Sequence, residues 1–199
     1  MPKTDPAREA LLTALEASGV SIPLWDGILI EETVRVAPGA TILPGCILRG
    51  NTTIAAGSVI GPGSVLTDAV IGENCAVKNT YITESTLEEN VSIGPFSQVR
   101  PGCHIAAGCK IGDFVEVKNS HIGQKTAIAH LTYVGDTDCG SGVNFGCGVA
   151  IANFNGKEKF RTTIGDNAFL GCNTNLVAPV TIGAGAYTAA GATVTRDVP

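Results

Sequence analysis

Apolar residues return about every six positions along most of the chain. The series starts at Ile30 and Val36 and, with some five-residue steps, continues to Ile182 and Val194. Small residues and turn residues fill the positions between them, as in IGPGSV, IGDNAF and IGAGAY. This period matches neither the repeat of about 3.6 residues of a helix nor the alternation of a half-buried strand. It predicts short strands separated by Gly or Pro turns.

The number of repeats sets the size of the predicted fold. About 28 repeats can be counted, and three repeats per coil give a prism of about nine coils. The predicted fold is an all-β solenoid, a parallel β-helix whose apolar ladders stack inside. At a strand spacing of ~4.8 Å the prism is ~40 Å long.

A short amphipathic α-helix is predicted before the first coil. Asp5 has the position of an N-cap and Pro6 that of the first helical residue, three leucines ending at Leu15 share one face, and Gly19 ends the segment. Because the open end of a solenoid needs cover, we expect this helix to cap the first coil. A docking helix for a partner is the alternative.

One insertion interrupts the ladder. Between Ile151 and Ile164 the segment NFNGKEKFRTT adds about seven residues to the repeat, so a loop is predicted at about residues 154–163. Insertions in solenoids are often binding elements, although a tolerated insertion gives the same pattern. The predicted organisation is a capping segment at residues 1–28 and one β-helix domain at residues 29–199.

Composition narrows the class of protein. The net charge of −5 and the pI near 5.1 argue against a nucleic-acid or anionic-membrane surface. Residues 1–20 contain charges and lack the apolar stretch of a signal peptide or membrane span, so the predicted location is the cytoplasm. Seven cysteines without a CxxC pair indicate neither a disulfide framework nor a zinc knuckle. Four of them occupy the small fifth position of their repeats and are expected in the core: Cys46, Cys75, Cys103 and Cys109.

Stacking of every third repeat places two cations on adjacent coils. Arg100 and Lys118 each follow a ladder residue of one column by one position, which puts their backbones ~5 Å apart. Like charges in register are destabilising unless they are neutralised, so a phosphate site is one interpretation, and side chains that splay into water are the other. Lys159 and Arg161 in the inserted loop can add positive charge.

Another edge of the prism carries a candidate general base. His130, Cys147, Cys172 and Ala190 each lie two residues after a ladder residue of a second column. Small side chains at successive levels leave a groove, and a histidine at its end is placed to accept a proton from a bound substrate. A solvated histidine without a catalytic role is the alternative.

A zinc site is not expected. Some hexapeptide β-helices resemble carbonic anhydrases that hold zinc with three histidines, and this chain has three in all. His104 and His121 stack on adjacent coils, but His130 belongs to a different edge of the prism. No metal is therefore predicted.

The second half of the chain resembles a known enzyme family. From about residue 93 to 198 it contains, in the family's order and spacing, the motifs IGPFSQVRPG, IGDFVEVKNS, AHLTYVGD, VNFGCG, IANFNGKEKF, TIGDNAFLGCNTNLVAPVTIGAGA and AAGATVTRDV. These resemble the acetyltransferase domain of the bifunctional glucosamine-1-phosphate N-acetyltransferase and N-acetylglucosamine-1-phosphate uridyltransferase. The resemblance implies a left-handed β-helix and a homotrimer with sites between subunits. It also implies acetyl transfer from acetyl-CoA to an amino-sugar phosphate, in the synthesis of UDP-N-acetylglucosamine and cell-envelope precursors.

The same resemblance implies roles for individual residues. His130 matches the general base, and Glu116 matches the acid expected to orient it. The positions matched to contacts with the sugar phosphate are Arg100, Lys118, Tyr133, Asn144, Asn153, Phe154 and Lys159. The positions matched to the acetyl-CoA groove are Cys147, Cys172 and Ala190.

Departures from the family pattern leave alternatives open. No Gly-rich nucleotide loop precedes the β-helix, so UDP-sugar synthesis is not expected of this chain. Phe154 replaces a tyrosine and Cys172 a serine, and in the family a segment that contacts CoA follows the position of Pro199. The alternatives are an acyltransferase for another amino sugar or nucleotide sugar, and a non-catalytic sugar-phosphate-binding scaffold.

Overall fold

The computed structural model describes residues 5–199 and shows a left-handed parallel β-helix of about nine turns preceded by one α-helix. The predicted fold class is confirmed. Residues 1–4, the start of the predicted capping segment, lie outside the described residues.

Three parallel sheets form the faces of the prism, and successive strands go from the first face to the second, the third and back to the first. The first face contains β1 (Leu29–Ile30), β4 (Ile47–Arg49), β7 (Val65–Thr67), β10 (Tyr81–Thr83), β13 (Gln98–Val99), β16 (Glu116–Lys118), β19 (Tyr133–Gly135), β22 (Ala150–Ala152), β25 (Asn175–Val177) and β28 (Thr193–Val194). The second face contains β2 (Arg35–Val36), β5 (Thr53–Ile54), β8 (Val70–Ile71), β11 (Thr86–Leu87), β14 (His104–Ile105), β17 (His121–Ile122), β20 (Thr137–Cys139), β23 (Thr162–Ile164) and β26 (Thr181–Ile182). The third face contains β3 (Thr41–Ile42), β6 (Val59–Ile60), β9 (Ala76–Val77), β12 (Ser92–Ile93), β15 (Lys110–Asp113), β18 (Ala127–His130), β21 (Asn144–Phe145), β24 (Phe169–Leu170) and β27 (Tyr187–Thr188).

The strand register confirms three repeats per coil. Val99 pairs with Val117 and Val117 with Val134 on the first face, while Ile111 pairs with Ile128 on the third. These ladder residues are buried, and each buried Val or Ile side chain contributes roughly 1.5–3 kcal/mol to folding. The hydrophobic core is therefore a continuous column along the prism axis.

Four cysteines belong to this core, as predicted. Cys46, Cys75, Cys103 and Cys109 are buried, and burial raises the pKa of each thiol above its ordinary value. Because the thiolate is the reactive form, these side chains act as small packing residues.

Helix α1 (Pro6–Ala17) covers the first coil. Asp5 Oδ1 accepts hydrogen bonds from the backbone N–H groups of Ala7 and Arg8 at 3.1 and 3.3 Å, the arrangement of an N-cap. Leu12 is fully buried, and Arg8 Nε donates to the carbonyl of Ile28 at 2.7 Å. The helix thus closes the end of the hydrophobic column.

The chain turns between faces at corners where several residues have positive φ. At the first corner, between the first and second faces, Asp68 and Asp136 have φ of 49° and 51°. At the third corner, between the third and first faces, Phe96, Phe114 and Leu131 have φ of 59°, 55° and 49°. Such a backbone costs about 1 kcal/mol or more for a non-glycine residue, and bonds between coils offset this cost.

The predicted insertion projects at the first corner, between β22 and β23. Phe154 and Lys159 form an antiparallel bridge, and Asn155 Oδ1 accepts hydrogen bonds from the backbone N–H groups of Lys157 and Glu158, both at 2.9 Å. The regular ladder resumes at Thr162, slightly earlier than the sequence pattern indicates.

Candidate active site

The first face carries two pairs of outward side chains on adjacent coils. Residues on either side of a buried ladder residue point outward in a short strand. Arg100 follows Val99 and Lys118 follows Val117, and these valines pair, so the predicted stacking of the two cations is confirmed. Glu116, at the other end of β16, pairs with Tyr133 of β19.

Three cations gather where the first face meets the inserted loop. Arg100 Nη1 donates to Glu116 Oε1 at 2.9 Å, which raises the pKa of Arg100. Lys159 lies beside Lys118, and the contact of the two ammonium groups lowers the pKa of Lys118. Over residues 5–199 neither lysine forms a salt bridge with a carboxylate, so an anionic group bound there would relieve the repulsion.

Asp136 lies beneath this cluster at the first corner. It is 6% exposed, and its carboxylate accepts hydrogen bonds from the side-chain amides of Asn119 and Asn153. Burial alone would raise the pKa of Asp136, but the two amides and the charges of Lys118 and Lys159 together hold it below its ordinary value. A buried carboxylate therefore lies beneath the partly exposed Lys118 and the exposed Lys159.

Gly135 leaves room for two predicted substrate contacts to meet. A Cβ at this position would lie 2.3 Å from Tyr133 Oη and 2.7 Å from Asn153 Nδ2. The amide nitrogen of Asn153 is 3.4 Å from Tyr133 Oη. A larger residue at position 135 would force these two side chains to move apart.

His130 lies at the third corner, at the end of β18, and contacts a carboxylate from the coil before it. Its Nδ1 is 2.6 Å from Asp113 Oδ1. The hydrogen bond lowers the pKa of Asp113, so the acid is ionised and accepts the Nδ1 proton. In the neutral imidazole Nε2 is then free to accept a proton. A depression of about 260 Å³ adjoins the pair and is lined in part by Gly94, Lys110 and Gly112.

The structure pairs His130 with a carboxylate other than Glu116, the acid predicted to orient it. Glu116 lies on the first face and binds Arg100, while the carboxylate in contact with His130 is that of Asp113. The register explains this result, because Asp113 pairs directly with His130 across adjacent strands, whereas Glu116 pairs with Tyr133. Glu116 belongs to the cation cluster.

The third corner continues as the predicted row of small side chains. The backbone N–H of Asn173 donates to the carbonyl of Cys147, and that of Gly191 donates to the carbonyl of Cys172, both at 2.7 Å. Cys147, Cys172 and Ala190 therefore occupy equivalent positions on successive coils. Cys147 is partly exposed and the other two are exposed, so the row is open to solvent.

Two predicted substrate contacts are not joined to the cation cluster within one chain. Asn144 lies on the third face, where it pairs with Ala127 and Phe169. Phe154 projects from the loop and is 57% exposed. The single chain brings together Arg100, Lys118, Tyr133, Asn153 and Lys159, and it leaves Asn144 and Phe154 outside this group.

Arg161 fastens the loop instead of extending the cation cluster. Its Nε and Nη2 donate to the two carboxylate oxygens of Asp138 at 2.7 and 2.6 Å, and Nη1 donates to the carbonyl of Asn119 at 3.2 Å. Arg161, followed by the hydrogen bond from His121, lowers the pKa of Asp138 to about 2. This bidentate pair holds the end of the loop against the second face.

The two remaining histidines bind carboxylates on the second face. His104 and His121 lie on adjacent coils with ring centroids 6.5 Å apart and ring planes inclined by 46°. His104 is hydrogen-bonded to Glu88 and His121 to Asp138. Over residues 5–199, no three or more His, Cys, Asp or Glu side chains are grouped in a way that could hold a metal ion. The same part of the chain contains no helix with the length and hydrophobicity needed to cross a bilayer.

Sequence reasoning missed two carboxylates of the site. Asp113 lies two residues after the ladder residue Ile111, so the column rule that selected His130 also selects it. Asp136 follows β19 in the motif AHLTYVGD, and its burial depends on the inserted loop folding over it. No repeat pattern signals that contact.

Comparison with known proteins places the chain among hexapeptide-repeat transferases. The family model for "Bacterial transferase hexapeptide (six repeats)" matches residues 33–68, 84–119 and 161–196. The bifunctional protein GlmU of Brevibacillus brevis is 45% identical over 96% of this chain and 42% of that protein. The GlmU protein of Clostridium acetobutylicum is 46% identical over 87% of this chain and 38% of that protein.

A solved UDP-N-acetylglucosamine acyltransferase from Francisella novicida is 20% identical, over 86% of this chain and 62% of that chain, with a TM-score of 0.48. The chain spans about 40% of the length of the curated relatives it matches. The segments matched by the family model make up more than half of the 199 residues, and the chain belongs to the bacterial transferase hexapeptide family.

Proposed function

We propose that the chain is an acetyl-CoA-dependent N-acetyltransferase that converts glucosamine-1-phosphate to N-acetylglucosamine-1-phosphate, a precursor of UDP-N-acetylglucosamine. The GlmU relatives carry this activity in their acetyltransferase part. The observation that carries the proposal is the pairing of His130 with Asp113 at one edge of the face that bears the Arg100, Lys118 and Lys159 cluster.

The arrangement supports a direct transfer. The phosphate binds the cation cluster, which holds the sugar on the first face with its amine toward the third corner. The amine nitrogen attacks the thioester carbonyl of acetyl-CoA, His130 Nε2 accepts the amine proton, and the C–S bond breaks to release CoA. Asp113 stabilises the imidazolium that forms. Fixing the amine beside the thioester supplies the proximity part of the rate enhancement.

Acetyl-CoA is proposed to lie along the third corner, over Cys147, Cys172 and Ala190. The small side chains leave space for a long, thin acyl donor that ends at His130. No metal is invoked, because proton transfer and binding alone account for the chemistry of thioester aminolysis.

We also propose a homotrimer with sites between subunits. Asn144 lies on a different face from Arg100 and Lys118, so a second chain is needed to bring its amide to the sugar phosphate bound at the cluster. Phe96, Phe114 and Leu131 form an apolar ridge along the third corner and are 57%, 56% and 60% exposed. An exposed apolar ridge at the third corner, beside His130, is suited to burial against a second copy of the chain.

The cytoplasm remains the proposed location. All seven cysteines are free, which is typical of proteins from a reducing compartment. Phosphorylated sugars and acetyl-CoA, the proposed substrates, are metabolites of the cell interior.

Replacement of His130 tests the proposed reaction. His130→Ala should lower kcat by about 10²–10⁴-fold, because the amine proton then has no acceptor in the site. The measurement is thiol release from acetyl-CoA, with glucosamine-1-phosphate present or omitted. His104→Ala is the matched control, since His104 is also a surface histidine paired with a carboxylate but lies on the second face. Equal turnover of His130→Ala and wild type would refute the role of His130.

The acceptor is open to one alternative. Phe154 is exposed in the loop and lacks the hydroxyl found in the family, which leaves room for a different amino sugar or nucleotide sugar. Parallel assays with glucosamine-6-phosphate and UDP-glucosamine identify the acceptor by the highest kcat/KM. Binding of a sugar phosphate without CoA release from any of the three would favour a non-catalytic scaffold.

A further inference from the structure

We infer that Asp136 is a positioning residue for the phosphate of the substrate, because it connects the inserted loop to the first face and balances the charge of Lys118 and Lys159. The inference rests on the proposed function for the identity of the bound sugar phosphate. The contacts of Asp136 place it behind the cluster and out of reach of the reacting atoms.

Asp136 contacts both ends of the inserted loop. The carboxylate of Asp136 accepts hydrogen bonds from Asn153 at the start of the loop and from Asn119 on the preceding coil. Its backbone carbonyl accepts from the N–H of Thr162 at the end of the loop, and its N–H donates to the carbonyl of Lys118, both at 3.0 Å. Displacement of Asp136 would therefore move the loop relative to Lys118.

The charge of Asp136 acts on the same lysines. Lys159 is the largest cause that lowers the pKa of Lys118, Arg100 lowers it further, and Asp136 raises it. Asp136 thus helps to keep Lys118 protonated beside two other cations. The charged groups that face Asp136 or Lys118 are Arg100, Lys159 and Arg161, and Arg100 in turn is paired with Glu116 and faces Tyr133.

Asparagine cannot replace the carboxylate. Both oxygens of Asp136 act as acceptors, and each receives a side-chain amide. An asparagine of the same shape has one acceptor oxygen and one NH₂ group, so a donor would face another donor at either Asn119 or Asn153. Asp136→Asn therefore removes the negative charge and also leaves one amide without its partner. The negative charge by itself repels phosphate, so the direction of the effect decides between positioning and simple repulsion.

The decisive comparison is Asp136→Asn against Asp68→Asn. Asp68 has the same corner position and φ four coils earlier, is exposed, and accepts a hydrogen bond from the backbone N–H of Asn51 at 2.8 Å. We expect Asp136→Asn to raise KM for glucosamine-1-phosphate about tenfold, the effect of losing one charge-assisted contact. The kcat value and KM for acetyl-CoA should stay within about twofold of wild type, and Asp68→Asn should match wild type throughout.

A pH profile separates positioning from a general structural defect. Without the charge of Asp136, Lys118 loses its proton at lower pH. The increase of KM for the sugar phosphate should therefore begin at a lower pH in Asp136→Asn than in wild type. A purely structural defect would change KM by the same factor at every pH and would also lower the melting temperature.

A milder variant keeps the test valid if Asp136→Asn does not fold. Asn119→Gly removes one amide from Asp136 while the buried charge is retained, and the φ of 45° at this position suits glycine. It should raise KM for glucosamine-1-phosphate about threefold with an unshifted pH profile. If the folded variants show an unchanged or lower KM, the inference is overturned.

Calorimetric titration with glucosamine-1-phosphate, without acetyl-CoA, tests the positioning role of Asp136 separately from the proposed acetyl transfer. If wild type binds the sugar phosphate but transfers no acetyl group, the proposed reaction fails, while weaker binding to Asp136→Asn still supports the positioning role. If wild type does not bind it at all, both hypotheses are overturned.

Discussion

The carboxylate that contacts His130 belongs to the coil before it. Asp113 Oδ1 is 2.6 Å from His130 Nδ1, while Glu116 is held by Arg100. A carboxylate on Nδ1 directs Nε2 toward the substrate and stabilises the imidazolium during proton transfer. The two acids, only three positions apart in sequence, therefore belong to different parts of the site.

Replacing each of the two acids with its amide tests whether Asp113 and Glu116 have different roles. Asp113→Asn should lower kcat about tenfold to a hundredfold, because the imidazolium loses its counter-ion. Glu116→Gln should instead raise KM for the sugar phosphate several-fold while kcat stays within about twofold, because it loosens Arg100. Steady-state kinetics with both substrates measures the split. The opposite split would show that Glu116 orients the base in the working enzyme.

The inserted loop is the element that completes the cation cluster. It carries Lys159 to Lys118, and both of its ends are bonded to the strand and turn that contain Asp136 and Asp138. Insertions in a solenoid often form binding elements, because they project from the regular coils. The loop is useful only while its ends are held.

Arg161→Ala should release the end of the loop. We expect KM for the sugar phosphate to rise about threefold to tenfold and limited proteolysis to cut within residues 153–161, because the bidentate pair with Asp138 is lost. Arg35→Ala is the control, since Arg35 also lies on the second face but outside the loop. Unchanged KM and unchanged cleavage would show that the other contacts suffice to hold the loop.

The ion pair between Arg161 and Asp138 should anchor the loop only above a certain pH. The pKa of Asp138 is lowered to about 2 in the folded chain, against about 3.9 in an unfolded one. Because the pKa of Asp138 is lower in the folded chain, the contribution of the ion pair to loop anchoring is fully present above the unfolded pKa. That contribution is lost as the pH falls through about 2. Wild type and Arg161→Ala should therefore differ in loop cleavage at pH 5 and converge at the acid end.

At the scale of the whole molecule, the proposal of a homotrimer rests in part on the exposed ridge at the third corner. Phe96 and Phe114 stack with ring centroids 5.6 Å apart, and both adopt a positive φ that is unfavourable for a bulky side chain. Although the two rings stack on each other, both remain more than half exposed in the isolated chain. Burial between subunits would offset the cost.

Charge introduced on the ridge should dissociate the assembly. Phe96→Lys/Phe114→Lys is expected to shift the mass measured by light scattering at micromolar concentration from trimer toward monomer. Acetyl transfer should fall with it, because Asn144 would no longer reach the neighbouring site. Val70→Lys is the control, since Val70 is an exposed apolar residue of the second face. A monomeric wild type that retains full activity would contradict the shared-site proposal.

The order of the coils could be predicted from the chain because the repeat itself dictates it. Each coil must bury one apolar residue per face, so counting three repeats per coil predicted the stacking of Arg100 on Lys118 and placed His130 at another edge. The N-cap of the first helix and the position of the inserted loop followed from equally local signals at Asp5 and after Ile151.

Only the tertiary structure decided which charged side chains meet. The sequence suggested Glu116 as the partner of His130, but the cross-strand register at the corner places Asp113 there. Asp136 became a buried support because a loop inserted 17 residues later folds back and donates the amide of Asn153 to it. Hexapeptide periodicity predicts which positions stack on adjacent coils, but it does not predict which side chains form hydrogen bonds or how the inserted loop folds. The sequence by itself therefore determined the scaffold, and the folding of corners and loop against that scaffold determined the site.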